Sequence, residues 1–338
     1  MIYETKILAP TDEGINIAAE LLIKGEVVGI PTETVYGLAA DATNQDAVKK
    51  IFLAKGRPQD NPLICHIADI SSLELYVKDV PDIAYKLSEK FWPGPLTMVL
   101  PKKDIIPLTT SGGLDTVGMR FPSSKIAQEI IKASGTTLAA PSANLSGSPS
   151  PTTAMHVFDD MQGRVPAIVD GGACNVGVES TVVSFENDYI RILRPGYISL
   201  EDFLSVTDKV ITDNGILNKI SDCDKVRSPG MKYKHYSPKA NVVIVEGDID
   251  EFTKYVFDHN SNNTYSMIFD SDKSNFPFNF LTYGDTSEQQ AHEIFDKLRE
   301  FDKIGAGNVF VRSPSKNGVG LAVYNRLLRA AGFEVVKL

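Results

Sequence analysis

The stretch Glu26–Pro31, EVVGIP, runs directly into Thr32–Gly37, TETVYG, and this junction decides the fold. EVVGIP is short, apolar and rich in β-branched residues, which predicts a strand, and TETVYG is a polar turn at its carboxyl end. Just before it, an amphipathic helix is predicted from Asp12 to Lys24, with Thr11 as its N-cap and Gly25 just past its end. A helix, a strand and a polar turn in this order predict an α/β domain.

The same alternation continues along the first 205 residues. Two more helices are predicted over 46–55 and 83–91, and more strands over 63–67, 96–100, 117–121, 137–140, 167–170, 180–185 and 190–193. We therefore predict a first α/β domain over residues 1–205.

The sequence pattern changes beyond this domain. Residues 221–240 form a polar stretch, SDCDKVRSPGMKYKHYSPKA, that holds two prolines and no apolar periodicity, so we predict an interdomain linker over 206–239. After it, NVVIVEG, TYSMIFD, FLTYG and NVFVR are typical of strands and alternate with helical patterns. This order predicts a smaller α/β domain of βαβ type over residues 240–338.

Composition limits the classes of function. The 338 residues are 43% hydrophobic and 23% charged, as in folded globular proteins, and the start of the chain lacks the pattern of a signal peptide. No apolar run is long enough for a membrane span, so we expect a cytoplasmic protein with no membrane partner. The formal net charge of −9 disfavours a broad electrostatic grip on nucleic acid, so direct RNA binding should be weak, local or absent. The three cysteines are widely spaced, which indicates structural thiols.

The run Lys55-Gly56-Arg57-Pro58 closes the second predicted helix and places two cations beside a glycine. Such a pair can hold a triphosphate, because Arg offers a two-pronged donor and Lys a mobile point charge. The same residues could instead only favour the negative C-terminus of the helix, and the local sequence does not decide between these readings.

A second run, Ala140 to Gly147 (APSANLSG), follows a predicted strand and precedes a predicted helix at Thr152. Its small hydroxyl and amide side chains, with backbone N–H donors, can surround phosphate oxygens. An ordinary turn rich in Ser, Pro and Gly is the alternative.

Three further polar stretches also end at strands: residues 31–37, 116–120 and 179–183. Ligands of open α/β sheets bind in the crevice at strand ends, so together these stretches predict one shared site. His66 could be only a hydrogen-bonded core residue, and Arg120 only a structural ion pair. A Ser-His-Asp hydrolase built from Ser142, His66 and Asp60 is disfavoured, because no GxSxG turn is present. No spacing of His or Cys predicts a metal held by the protein, and no familiar phosphate loop is present.

Eight motifs in one order support a family resemblance: PTETVYGL, KGRPQDNPL, FWPGPLTMVL, TVGMRFP, PSANLSG, VDGG, ESTVV and RILRPG. Together they resemble the YrdC-like threonylcarbamoyl-AMP synthase family over about residues 8–205. The PG-x4-HY-x-P linker at Pro229 to Pro238, followed by a small α/β domain, resembles the long, two-domain form. The resemblance implies a twisted, open, mixed sheet with flanking helices, plus a smaller Rossmann-like C-terminal α/β domain.

The resemblance also implies a reaction. L-threonine and bicarbonate would form N-carboxythreonine, whose carboxylate attacks the α-phosphate of ATP and releases pyrophosphate. The product, threonylcarbamoyl-adenylate, would supply the threonylcarbamoyladenosine (t6A) modification of tRNA, through a possible transferase complex. Mg²⁺ would arrive with ATP.

The family's KxR…SxN tetrad is present, and the resemblance assigns roles to it and to other residues. The implied catalytic residues are Lys55, Arg57, Ser142 and Asn144. The implied threonine-binding residues are Thr34, His66, Arg120, Ala140 and Ser180. The implied ATP-binding residues are Lys55, Arg57, Asn61, Thr116, Ser142, Ser150, Arg194 and Lys234. Lys232, His235 and Tyr236 are expected to form a lid.

Two other functions stay open at this point. A YrdC-like domain could bind double-stranded RNA without chemistry, although the negative charge disfavours this. Related domains also occur in carbamoyltransferases that use carbamoyl phosphate, but the extra zinc-finger-like and acylphosphatase modules of those enzymes are absent from this sequence.

Overall fold

The computed structural model describes residues 3–186, 189–218 and 235–338. Its first domain is an α/β layer structure, as predicted. The strands are β1 (Lys6–Leu8), β2 (Val28–Ile30), β3 (Gly37–Asp41), β4 (Ile64–His66), β5 (Leu96–Pro101), β6 (Thr116–Arg120), β7 (Leu138–Ala139), β8 (Ala167–Val169), β9 (Thr181–Glu186), β10 (Tyr189–Arg194) and β11 (Val210–Thr212). The helices are α1 (Asp12–Ile23), α2 (Gln45–Lys55), α3 (Leu73–Tyr76), α4 (Asp82–Phe91), α5 (Leu108–Ser111), α6 (Lys125–Ser134), α7 (Ala154–Met161) and α8 (Leu200–Leu204).

Among the described residues these strands form one mixed sheet in the order β1-β8-β2-β3-β7-β4-β6-β5-β9-β10-β11. The sheet contains parallel pairs, such as β4 with β6, and antiparallel pairs, such as β5 with β6. The mixed sheet predicted from the family resemblance is therefore confirmed. β11 pairs with β10, so this sheet runs past residue 205, where the sequence pattern suggested that the domain ends.

Local sequence explains where the first helices begin and end. The Thr11 side chain accepts from the Gly14 N–H at the start of α1, and Asn44 caps α2 in the same way. Gly56 caps the C-terminus of α2 with a left-handed φ of +62°. Lys55 is therefore the last helical residue, and Arg57 lies just beyond the cap.

The second domain is a smaller α/β unit with five parallel strands among the described residues, in the order β14-β13-β15-β12-β16. Its strands are β12 (Asn241–Glu246), β13 (Thr264–Ile268), β14 (Phe280–Thr282), β15 (Asn308–Arg312) and β16 (Val335–Lys337), and its helices are α9 (Ile249–His259), α10 (Ser287–Lys303) and α11 (Val319–Ala330). The helical crossovers between parallel strands confirm the predicted βαβ pattern.

The two domains share buried surface. Val35 and Val178 of the first domain belong to the apolar core cluster of the second. Arg299 of α10 pairs with Asp160 of α7 at 2.7 Å, and the Asn325 amide of α11 donates to the Ile216 carbonyl at 2.6 Å. Apolar and hydrogen-bonded contacts therefore fix the second domain against the first.

No helix among the described residues is long and apolar enough to span a membrane.

Candidate active site

An enclosed cavity lies where several strands of the large sheet end. Of the residues that the sequence singled out, those that line it are Arg57, His66, Arg120, Ala140, Ser142, Ser180, Arg194, His235 and Tyr236. The parallel pairing of β4 with β6 sets His66 directly beside Arg120. Strand ends separated widely in sequence thus meet at one site, as the polar strand-end motifs predicted.

Three members of the tetrad form one hydrogen-bonded cluster. The Lys55 ammonium donates to the Ser142 carbonyl and, at 2.7 Å, to the Asn144 carbonyl. The Ser142 hydroxyl donates to Asn144 Oδ1 at 2.5 Å, and the Asn144 amide nitrogen donates to the carbonyls of Leu145 and Ser148. The Lys55 carbonyl in turn accepts from the Ser146 N–H. The helix end and the PSANLSG loop are therefore joined into a single unit.

Arg57 is the fourth member, and its guanidinium faces the cavity. The residue is 8% exposed, and its Nε and Nη2 have no hydrogen-bond partner among the described residues. A buried guanidinium left with open donors is costly unless an anion completes it. Burial and then repulsion by Arg194 lower the pKa of Arg57 to about 10, and burial and then Arg57 lower the pKa of Lys55. The four residues are thus set up to receive negative charge.

Arg120 lies at the other side of the cavity and is already paired. Its Nη2 donates to Glu33 Oε1 at 2.6 Å and to Thr34 Oγ1 at 2.9 Å. In the described part of the chain, Arg120 Nε and Glu33 Oε2 have no hydrogen-bond partner. The structural ion pair that the sequence left open is therefore present, but one edge of the guanidinium remains available for a ligand.

His66 is buried and neutral. Its Nδ1 lies 3.2 Å from the Ile64 carbonyl, and burial followed by the charge of Arg120 lowers its pKa to about 3. The Ser142 hydroxyl donates to Asn144 rather than to His66. A Ser142–His66 nucleophile pair is therefore not formed, and the disfavoured hydrolase reading finds no geometric support.

Arg194 and Ser180 meet on the β9–β10 side of the cavity. The Arg194 side chain donates to the Ser180 carbonyl at 3.0 Å and to the Ser180 hydroxyl at 3.2 Å. The Ser180 hydroxyl also lies 2.8 Å from the Thr97 hydroxyl. Both residues are buried at the start of β9 and the end of β10, where the antiparallel register brings them together.

Some predicted residues lie behind or beside the cavity wall. Lys55, Asn144 and Thr34 stand behind it and reach it through the hydrogen bonds given above. Asn61 is buried, with an Oδ1 that has no partner within the described ranges. Thr116 starts β6, four residues before Arg120, and lines an adjoining pocket with Val99 and Leu193 instead.

Ser150 is the last of the residues predicted to bind ATP. It contacts Glu179, to which the sequence analysis assigned no role. Its buried hydroxyl donates to Glu179 Oε1 at 2.6 Å, and Glu179 itself lines the cavity. The sequence placed Glu179 in a strand-end motif without giving it a role. Lys232 and Lys234, predicted for the lid and for ATP, lie outside the described residues.

His235 and Tyr236 close one side of the cavity from the linker. Tyr236 is 2% exposed, packs on Phe295 of α10 at 5.2 Å between ring centroids, and has a left-handed φ of +63°. His235 Nδ1 lacks a partner among the residues described, and burial followed by the charge of Arg57 lowers the His235 pKa to about 3. With both residues in place the cavity has a volume of about 50 Å³.

Comparison with known proteins identifies the family. The family described as "Telomere recombination" (Sua5, YciO and YrdC) matches residues 20–196, and the family described as "Threonylcarbamoyl-AMP synthase, C-terminal domain" matches residues 198–332. The chain belongs to the threonylcarbamoyl-AMP synthase family. The two matches also account for the long, two-domain form that the linker motif resembled.

Relatives of this family resemble the whole chain. The threonylcarbamoyl-AMP synthase of Pyrococcus abyssi is 41% identical over 96% of this chain and 96% of its own length, and that of Bacillus subtilis strain 168 is 42% identical over 98% and 97%. The crystal structure of P. abyssi Sua5 complexed with L-threonine has a TM-score of 0.89 at 40% identity and covers 100% of this chain and 99% of that one. Escherichia coli YciO matches 58% of this chain with a TM-score of 0.51 at 26% identity.

Proposed function

We propose that this chain is a threonylcarbamoyl-AMP synthase, a nucleotidyltransferase that condenses L-threonine, bicarbonate and ATP into L-threonylcarbamoyladenylate and pyrophosphate. The observation that carries the proposal is the buried guanidinium of Arg57 beside the Lys55–Ser142–Asn144 cluster, in a chain of this family. Its Nε and Nη2 have no hydrogen-bond partner among the described residues. The cluster gathers positive charge where an anionic substrate would lie, opposite the Arg120 pocket.

The nucleotide is assigned to the cationic side of the cavity. Arg57 would use its two open donors on the phosphates, and Lys55 would leave one of its carbonyl partners to contact a phosphate oxygen. Arg194 also lines the cavity and adds a third cation. Negative charge grows on the departing pyrophosphate, so fixed cations stabilise the transition state more than the ground state.

Threonine is assigned to the Arg120 side. The free edge of the Arg120 guanidinium, at Nε, is the donor proposed for the α-carboxylate, while Glu33 and Thr34 hold the other edge in place. The Ser180 hydroxyl, His66 and the Ala140 backbone complete that pocket. His66 stays neutral at working pH, so it would hydrogen-bond to the substrate without competing for the carboxylate as a cation.

The two pockets open into one another, which brings the carbamate carboxylate of N-carboxythreonine to the α-phosphate. The attacking oxygen forms the new P–O bond as the bond to pyrophosphate breaks, so no covalent enzyme intermediate is needed. Catalysis then rests on positioning and electrostatics.

Mg²⁺ is proposed to travel with ATP. The cavity side chains nearest the proposed phosphates are cations, which do not ligate Mg²⁺, and no group of three His, Cys, Asp or Glu side chains among the described residues is arranged to hold a metal. Phosphate oxygens and water would therefore supply most ligands, as Mg²⁺ prefers.

His235 and Tyr236 are proposed to act as a lid. The cavity volume is about 50 Å³ with both side chains in place, so movement of these two side chains would make room for an amino acid and a nucleotide. Return of the lid would exclude water from a labile carbamate and adenylate. Faster loss of the adenylate into solution from a Tyr236→Ala variant supports the lid, and an unchanged release rate contradicts it.

The product is proposed to serve t6A formation on tRNA, through a partner transferase that receives the adenylate. The cytoplasmic location and the weak direct RNA binding expected from the net charge stay predictions. Measured RNA affinity should be low and should fall only slightly with added salt.

Pyrophosphate release from ATP tests the proposed function. We expect release only when threonine and bicarbonate are both present, and we expect Lys55→Ala to abolish it while the protein stays folded. Release without threonine would point instead to carbamoyl-phosphate chemistry. No release by a folded protein under any condition, together with tight and strongly salt-dependent RNA binding, would favour the RNA-binding alternative.

A further inference from the structure

One cation of the second domain is completely buried against the first domain. Arg326 of α11 is the largest fully buried side chain among the described residues, with 0% exposure. Removing a guanidinium from water costs several kcal/mol unless its donors are satisfied, so the partners of Arg326 indicate what the burial achieves.

The strongest partners of Arg326 belong to the first domain. Its Nε donates to Glu179 Oε2 at 2.7 Å, and its Nη1 donates to the Pro195 carbonyl at 2.9 Å. Within its own domain, Nη1 also donates to Asn325 Oδ1 at 3.0 Å. The arginine thus contacts the segments just before β9 and just after β10, which carry Ser180 and Arg194 into the cavity.

Glu179 relays this contact to the candidate active site. One carboxylate oxygen binds Arg326, and the other accepts the Ser150 hydroxyl at 2.6 Å. Burial alone would raise the pKa of Glu179, but Arg326, Arg194 and the Ser150 hydrogen bond together lower it to about 2. The carboxylate is therefore a permanent anion at neutral pH, and it fixes the direction in which Ser150 points its only proton.

Arg326 also supports the lid. Its guanidinium carbon lies 5.7 Å from the centroid of the Tyr236 ring, within the range of a cation–π contact. A non-glycine residue with a φ of +63° needs its surroundings to hold it, and Arg326 and Phe295, both in the second domain, pack on the Tyr236 ring. One side chain of the second domain therefore touches two separate parts of the site.

We propose that Arg326 is a positioning residue for nucleotide binding, which acts from the second domain through Glu179 on Ser150. This inference rests on the proposed function, because the nucleotide role of Ser150 comes with it. With Arg326 in place, Ser150 donates to Glu179 and offers its lone pairs to a donor on the nucleotide, such as a ribose hydroxyl. Without the guanidinium, the buried Glu179 carboxylate loses its main counter-charge and must shift, and Ser150 shifts with it.

The test is a double-mutant cycle on ATP affinity in the full-length chain. The dissociation constant for Mg²⁺-ATP is measured without threonine for the wild type, Arg326→Lys, Ser150→Ala and the double variant. Lysine keeps a charge but loses the fork that holds Glu179 and Pro195 together. We expect each single variant to bind ATP about tenfold more weakly, which is roughly 1.4 kcal/mol, and the double variant to bind like Ser150→Ala alone.

Arg329→Lys is the matched control. Arg329 lies almost one turn further along α11, is 4% exposed, and donates to the Gly215 carbonyl at 2.7 Å. The control removes a buried guanidinium from the same helix without touching the Glu179 carboxylate, so ATP affinity should stay within about twofold of wild type. If Arg326→Lys does not fold, Glu179→Gln replaces it in the same cycle.

Two outcomes overturn the inference: an ATP affinity that Arg326→Lys leaves unchanged, or a double variant whose loss is the product of the two single losses. Wild-type pyrophosphate release, measured in parallel, separates this failure from failure of the proposed function. A wild type that binds ATP but releases no pyrophosphate contradicts the function and leaves the cycle to decide the inference. A wild type that does not bind ATP overturns both.

Discussion

Lys55 combines burial with contacts to main-chain carbonyls, and this gives ATP affinity a pH dependence. Burial and the neighbouring Arg57 lower the pKa of Lys55 in the free protein. Bound phosphate would favour the charged form, so the complex holds more protons than the free protein and affinity falls as pH rises. We expect ATP binding, measured without threonine, to weaken as pH rises over the range below the ordinary lysine pKa of about 10.4.

A Lys55→Arg variant tests whether Lys55 causes the pH dependence of ATP affinity. Its guanidinium stays protonated across that range, so its ATP affinity should change little with pH even if it is lower overall. A wild-type affinity that does not vary with pH would contradict the lowered pKa of Lys55.

Buried neutral histidines should make the protein sensitive to acid. The pKa values of His66 and His235 are lowered from 6.5 to about 3. Below pH 6.5 the unfolded chain therefore binds protons that the folded protein does not, and stability falls as pH decreases toward 3. Each histidine contributes a slope of about 1.4 kcal/mol per pH unit in this window.

Urea unfolding at several pH values measures these slopes. His66→Gln should flatten the fall in unfolding free energy below pH 6.5 by about one histidine's share. His259→Gln, at an exposed position of α9, should leave the slope unchanged. Equal slopes in all three proteins would mean that His66 titrates normally.

At the scale of elements, two glycines should respond differently to alanine. At Gly196 an added Cβ would lie 2.3 Å from the Thr181 nitrogen and 2.6 Å from the Ser180 carbonyl carbon. Gly196→Ala must therefore move the start of β9, and we expect a stability loss of about 1 to 3 kcal/mol and a higher KM for threonine.

At Gly56 the added Cβ would meet no atom within 4 Å, and only the φ of +62° is unfavourable. Gly56→Ala should cost about 1 kcal/mol without a change in threonine KM. Thermal unfolding and steady-state kinetics measure both variants, and equal effects would contradict the steric argument.

The sequence predicted most elements because their patterns are local. β2 and β5 were found from apolar, β-branched runs, and α1 and α2 from their caps and periodicity. β3 was missed because GLAAD contains small residues and no β-branched side chain, so its strand conformation depends on pairing with β2 and β7. β11 was missed because its strand lies in a segment that was read as linker.

Some residues of the candidate site could be identified from the sequence, and others could not. The tetrad was named from the family resemblance, because KGR and PSANLSG taken alone could also have been an ordinary helix end and an ordinary turn. The partner of Arg120, Glu33, and the partner of Glu179, Arg326, could not, because a single sequence carries no signal that pairs residues far apart. The roles of the site residues stay predictions.

At the scale of the whole molecule, the shared core and the Arg299–Asp160 pair should couple the stabilities of the two domains. The chain has one tryptophan, Trp92 of the first domain, so its fluorescence reports the unfolding of that domain. Arg299→Met, made in the second domain, removes the ion-pair partner of the largely buried Asp160, and we expect it to lower the free energy of the Trp92 transition by about 3 kcal/mol.

Lys273→Ala is the control, because it removes an exposed pair with Asp270 in the second domain and should change the transition by less than about 1 kcal/mol. If the domains unfold independently, Arg299→Met will leave the Trp92 midpoint where the wild type has it.

The large sequence separation of Arg326 and Glu179 also sets the order in which the two residues become available during synthesis. The two residues are 147 positions apart, so Glu179 emerges from the ribosome well before its counter-charge exists. At roughly 5 to 20 residues per second, the wait lasts about 7 to 30 seconds. During that time the nascent first domain must leave the Glu179 carboxylate in water, with the walls around Ser150 still open. The proposed nucleotide pocket would therefore be completed late, when α11 has been made and can dock.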